Sequence, residues 1–389
     1  MPYITDRVVH DADAHVYEAP DWIEAFVDSS QRERLSRYLG PASEKVLAHI
    51  NSVREKYQDP DYQARNEEEV TLRKGFSALG AFVKEERPAA VDFLGVASQL
   101  VFTTAGLRPL AASDRSGDVE AAFAVARAHN RAMIDFCSVD RRLLPVLHVP
   151  LCDIDRAVAE TDSAISMGAA AIMIPSACPK THAPSHVGLD GLWARAQEAG
   201  IPVVFHVGGG KPMDPMYKEN GLPPVKDFIG GDGNFTSVSY MYISESPMQS
   251  LATMIFDGVF ERFPRLKFGV IEMGAAWVPG WMRSMDSAAE AFRKNETRLQ
   301  QLSLKPSEYV RRQIRVTPYP HEPAGWVVKN AGPEVCLFSS DYPHTEGGRN
   351  PLKRFEASLE EAGCTEQEKD AFYRTNFEDL MGAAMDRVR

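Results

Sequence analysis

Long apolar runs are missing from this 389-residue chain, and no stretch approaches the roughly 18 residues of a membrane span. The opening "MPYITDRVVHD" also lacks the apolar segment of an export signal, so a soluble protein of the cytoplasm is expected. Positive charge is scarce. With 43 Lys and Arg against 54 Asp and Glu, the formal net charge is −11, which excludes nucleic acid and anionic membranes as general partners. A small anionic substrate stays compatible, because a local group of cations can outweigh the global sign. Cysteines are few: Cys137, Cys152, Cys178, Cys336 and Cys364 are scattered and form no CxxC pair. That argues against a disulfide framework or a zinc ribbon and fits a reducing compartment. No glycine-rich fingerprint follows the first strand candidate, which speaks against an open dinucleotide-binding sheet.

What is present is an alternation of short apolar runs with amphipathic helical segments. Eight strand candidates stand out, beginning with "DRVVHDADAH" (6–15), "SQLVFTT" (98–104), "LLPVLHVPL" (143–151) and "AAAIMIP" (169–175). The others are "IPVVFHVGGG" (201–210), "LKFGVIEMG" (266–274), "QIRVTP" (313–318) and "VCLFSSDYP" (335–343). Helical spacing fills the gaps, as in 118–140, 189–200 and 246–264. Strands apolar throughout and linked by helices form parallel sheets covered on both faces. Eight such units predict an α/β protein with a (β/α)8 TIM-type barrel, one domain spanning 1–389. Two segments break the repeat, at about 20–90 and 207–246. Both follow barrel strands, so they are expected at the C-terminal face as lids or subunit contacts.

In such a barrel, chemistry gathers where strands end. The ionisable residues there are Asp13 and His15 after strand one, His206 after strand five and Glu272 after strand six. Strand eight adds Asp341, with His344 just beyond. Asp11, Asp13 and His15 are spaced by two, which puts them on one side of a continued strand. Carboxylates and imidazoles crowded together repel and lose solvation unless a cation sits among them. The ligand types suit zinc, manganese or iron, each able to acidify a bound water.

These residues resemble the amidohydrolase superfamily, in the branch around aminocarboxymuconate-semialdehyde decarboxylase. The resemblance runs through "DADAHVYE", "FLGVASQLVFTT", "GLWARAQEAGIPVVFHVGG", "VFERFPRLKFGVIEMGAAWVPGWMRSMD" and "FSSDYPHTEG". It implies that Asp13, His15, His206 and Asp341 hold a divalent metal ion, with Asp341 also moving protons. Glu272 stands where the decarboxylases carry a histidine in a glycine-rich turn, and strand four lacks the lysine that binuclear members often carbamylate. Glu272 can therefore act as acid/base beside one metal, or bind a second metal ion together with His344.

The expected activity is hydrolysis or non-oxidative decarboxylation of a small cyclic or aromatic carboxylate. A dinuclear iron or manganese oxygenase on the same scaffold and a non-catalytic partner subunit are the alternatives. Homodimers or larger assemblies, including hetero-oligomers, are expected for this fold class. Asp11 reads as a strand-end carboxylate satisfied by local hydrogen bonds, His148 as a core histidine, and Trp277 and Trp281 as packing residues. Arg108 and Arg349 are candidates for binding a substrate carboxylate. Phe235, Tyr240, Met241 and Tyr242 could line a pocket or an oligomer contact.

Overall fold

The apolar runs form seven parallel strands whose order in space follows their order in sequence. They are β1 (His10–Val16), β2 (Ser98–Thr103), β3 (Leu143–His148), β4 (Ala171–Met173), β5 (Val203–His206), β6 (Phe268–Ile271) and β7 (Ile314–Val316). A computed structural model describes residues 1–40, 43–223, 225 and 236–388. Every strand residue is buried, as expected of a parallel sheet with helices outside and packed side chains within. Nearly invariant burial makes the core large, with Trp193, Phe205, Phe260 and Phe268 fully enclosed.

The eighth strand is the departure from the predicted count. Residues 335–342 run beside β7 and β1 without forming a regular ladder, touching them through isolated bridges at Cys336 and Tyr342. Leu337 N donates to Val316 O at 2.9 Å, and Asp341 N donates to Asp13 O at 2.9 Å, so the segment closes the barrel. Regularity is lost because Asp341 takes a positive φ of 52° and Phe338 N turns outward to Phe372 O.

The helices end as their sequence punctuation dictates. Ile154–Met167 stops at Gly168 and Asp190–Ala199 at Gly200, both glycines left-handed with φ of 101° and 65°. Among the described residues no helix is long and apolar enough to cross a membrane.

The 20–90 segment forms helices Arg32–Leu39, Glu44–Lys56 and Pro60–Ala64, then returns to the barrel rim. There Tyr17 N donates to Ala81 O, Gly75 N to Pro343 O, and the Tyr342 hydroxyl to Leu79 O. Gly80 permits this approach: a Cβ there would lie 2.5 Å from the Arg87 Cα. Arg87 is fully buried and donates to His15 O and Gln99 Oε1, tying the return to the first two strands. The 207–246 segment holds a short turn, Pro215–Lys218, and the helix Ser237–Tyr242. Phe235 lies outside the described residues.

Candidate metal centre

An irregularity in the β1–β2 register falls between Asp11 and Ala14. A bulge breaks the two-residue period that would have aligned Asp11 with Asp13 and His15. Asp11 accepts from Ser340 N at 2.8 Å, Ser340 Oγ at 2.6 Å and Gln99 Nε2 at 2.9 Å, and serves as a stitch between strands. Burial raises its pKa to about 6 even with these donors.

Asp13 and His15 face the rim instead. His15 Nδ1 lies 3.2 Å from Thr103 O, and His206 Nδ1 lies 3.1 Å from Val207 O. A carbonyl only accepts, so each Nδ1 carries a proton and each Nε2 points inward, offering a lone pair once any proton of its own is lost. The groups those lone pairs meet are carboxylates. His15 Nε2 lies 3.1 Å from Asp13 Oδ1 and 3.5 Å from both Glu272 Oε2 and Asp341 Oδ1. His206 Nε2 lies 3.2 Å from Glu272 Oε2 and 3.4 Å from Asp13 Oδ1.

Both oxygens of Asp13 and of Asp341, Glu272 Oε2 and the two Nε2 atoms are buried without a hydrogen-bond partner. Buried polar atoms seldom stay unpaired, and a convergent set of them is what a divalent cation satisfies. In its absence the cluster must take up protons. Burial disfavours the His15 imidazolium, yet the Asp13 and Glu272 carboxylates outweigh it and raise its pKa well above the usual value. Burial, then Glu272 and Asp13, likewise push Asp341 well above the carboxylate range. For Asp13 burial acts upward, but His15 and His206 prevail and hold it below that range.

The six predicted residues meet at one rim in two overlapping groups, each with ligand atoms within 4.8 Å of one another. Asp13, His15, His206 and Glu272 form the first, and His15, Glu272, Asp341 and His344 the second. Asp341 meets the first group through His15, its Oδ1 3.5 Å from His15 Nε2. His344 stacks on His15 with ring centroids 4.0 Å apart. Its Nε2 is 2.9 Å from Thr104 Oγ1, and its Nδ1 is 3.2 Å from Asp341 Oδ1.

Glu272 takes a φ of 54°, held by its amide donating to Thr317 Oγ1 at 2.8 Å and by the Tyr319 hydroxyl donating to its carbonyl at 2.7 Å. Glu322 accepts from Ala275 N, Ala276 N and Tyr319 N, binding the two loops together. Sequence reasoning passed over these three, because strand seven ends on Thr-Pro-Tyr-Pro and carries no metal-binding residue type. Their signal was "TPYPHEP" after a strand end, polar residues at a rim that already holds chemistry.

Elsewhere, His148 is buried, with Nε2 2.9 Å from Asp114 Oδ2. Trp277 and Trp281 pack on each other at 5.2 Å. Arg108 and Arg349 are exposed. Glu18 accepts from the Thr103 hydroxyl and from the amides of Thr104, Ala105 and Gly106, fixing the loop after β2.

The sequence pattern of the amidohydrolases matches residues 80–382. No curated protein matches the chain. Among solved structures, an amidohydrolase from Mycobacterium avium subsp. paratuberculosis K-10 superposes with a TM-score of 0.68 at 22% identity, covering 97% of this chain and 100% of that one. A 5-carboxyvanillate decarboxylase from Novosphingobium aromaticivorans, complexed with manganese and 4-hydroxy-3-methoxy-5-nitrobenzoic acid, gives a TM-score of 0.65 at 17% identity, covering 98% of each chain. A 2,6-dihydroxybenzoate decarboxylase from Rhizobium gives 0.60 at 16% identity, covering 97% of this chain and 99% of that one. At these identities the superpositions establish the barrel. Residues 80–382 establish the lineage: the chain belongs to the amidohydrolase family.

Proposed function

We propose that this protein catalyses the non-oxidative decarboxylation, or the hydrolysis, of a small cyclic or aromatic carboxylate at a divalent metal ion. Asp13, His15, His206 and Asp341 hold the ion, and Glu272 is the acid/base. The observation that carries this reading is the pair of inward-facing imidazole nitrogens set among carboxylate oxygens that have no donor. The superposition on two aromatic-acid decarboxylases, one with manganese bound, favours decarboxylation over hydrolysis.

A divalent ion, when bound, supplies a Lewis acid that holds and polarises the substrate's oxygens. The chain's own part is positioning and proton transfer. As the carbon–carboxylate bond breaks, carbon dioxide leaves, the electron pair stays on the ring carbon, and that carbon takes a proton. Glu272 Oε2 faces the same space as both imidazoles and is the group that gives it. In hydrolysis the same oxygen takes a proton from water.

A second reading, two metal ions and oxidative chemistry, is favoured by the overlap of the two ligand groups. His15 has already committed Nδ1 to Thr103 O, so it can serve only one ion. With two ions, Asp13 and His206 would hold the first, and His344 with Glu272 or Asp341 the second.

Elemental analysis of protein purified without chelators separates the readings. About one manganese or zinc per chain, lost in His206→Ala, is expected, together with carbon dioxide release from hydroxybenzoates. Full metal occupancy in His206→Ala would sink the ligand assignment. Glu272→Gln should abolish turnover and keep the single ion. A count falling from two to one in that variant, with oxygen consumed by the parent protein, would establish the dinuclear alternative.

A further inference from the structure

One ring of the 207–246 insertion is turned to the loops that carry Glu272. In the helix Ser237–Tyr242, three consecutive side chains go three ways. Met241 points to solvent at 75% exposure, and Tyr242 lines a cleft together with Ile243. Tyr240 is half-buried and lies outside that lining.

Tyr240 packs instead on the loop after β7. Its ring centroid is 5.4 Å from that of Tyr319 and 5.5 Å from that of His321, at interplanar angles of 45° and 48°. Tyr319 and His321 are themselves stacked at 5.5 Å and 9°. Rings at such separations attract one another beyond the apolar area they bury. Burial first, and then the nearby Glu322 carboxylate, raise the Tyr240 hydroxyl above its ordinary pKa.

Tyr319 is the member of this group that reaches the site, since its hydroxyl donates to Glu272 O at 2.7 Å. The positive φ of Glu272 has to be held by its surroundings, and Tyr319 is one of its two holders. Tyr319 stands between Pro318 and Pro320, neither of which has an amide N–H to anchor the backbone. Packing against its ring must therefore supply much of its fixation.

We infer that Tyr240 is a positioning residue: the insertion braces Tyr319 through this group of rings, and Tyr319 passes the constraint to the backbone of Glu272. The catalytic meaning of the brace rests on the reading of Glu272 as the acid/base. The insertion is thus a working part of the site as well as a wall of its cleft.

The test is amide hydrogen exchange on the protein as purified, in Tyr240→Ala, Tyr240→Leu and Tyr240→Phe. Segments 270–276 and 316–322 should exchange about tenfold faster or more in the alanine and leucine variants, while β3 and β4 keep the parental rate. Tyr240→Phe keeps the ring and should stay within about twofold of the parent. In a Tyr319→Ala background, Tyr240→Ala should add nothing at 270–276, because the contact is already broken. Faster exchange confined to 237–242, or an undiminished effect in that background, would overturn the inference. Should Tyr240→Ala unfold the barrel, the other two variants decide, and a leucine variant as protected as the phenylalanine one would overturn it as well. Turnover that survives Glu272→Gln would remove the acid/base reading and leave the brace standing.

Discussion

Among the described residues other than glycine, positive φ occurs at two, Glu272 and Asp341, and both sit in the metal centre. Such a conformation costs on the order of 1–3 kcal/mol at each position and persists where the surroundings hold it. Here it turns the Glu272 carboxylate into the space between His15 and His206, and the Asp341 carboxylate to His15 and His344. The proton balance of that space gives a prediction. His15 and Asp341 both have raised pKa values in the metal-free protein, so both hold protons at a pH where their unfolded counterparts have lost them. A metal ion must displace those protons, so its affinity should rise as pH rises and weaken as pH falls. Titration of manganese at one pH in two buffers of different ionisation enthalpy measures the release directly. No proton release would show that the imidazole lone pairs already face inward uncharged.

The loops after β6 and β7 behave as one element. Thr317 and Tyr319 hold the backbone of Glu272 on both sides, and Glu322 ties three amides of the two loops to one carboxylate. The left-handed Gly274 at φ 70° fits against it, since a Cβ there would lie 3.0 Å from Glu322 Oε1. Groups that orient metal-site residues typically affect metal affinity 10- to 100-fold. Glu322→Ala should therefore weaken manganese binding by about that factor. Tyr319→Phe should do so to a smaller degree and leave the fold intact. Unchanged affinity in both variants, measured by competition with a chelator, would show that Glu272 is held without them.

At the scale of the whole molecule, the barrel was legible because most of the eight strand candidates have apolar centres, and parallel strands need little else. The rim residues were legible for a related reason: an ionisable side chain directly after a buried strand must have something to do. Two features were not. The bulge that separates Asp11 from Asp13 leaves no mark in "HDADAH", because a register shift is set by the neighbouring strand. The two loops that hold Glu272 consist of residues common in any turn.

The irregular closure at residues 335–342 has a consequence of its own. Asp13 and His15 stand on one edge strand of the seven-stranded sheet, while Asp341 belongs to the stave that joins that edge to the other. An ion held by all three spans the seam where the ladder is thinnest, and so acts as a clasp on the barrel as well as a reagent. Binding that favours the closed form adds about 2.7 kcal/mol at a hundredfold excess over Kd. Chelation should speed amide hydrogen exchange in 336–342 and 10–16 before it affects β3 and β4. Uniform exchange across the barrel would mean that the seam holds by its own hydrogen bonds. If the clasp is real, losing the metal silences the enzyme and unlatches its wall in the same event, so a cell short of metal would hold an inactive protein that is also marked for removal.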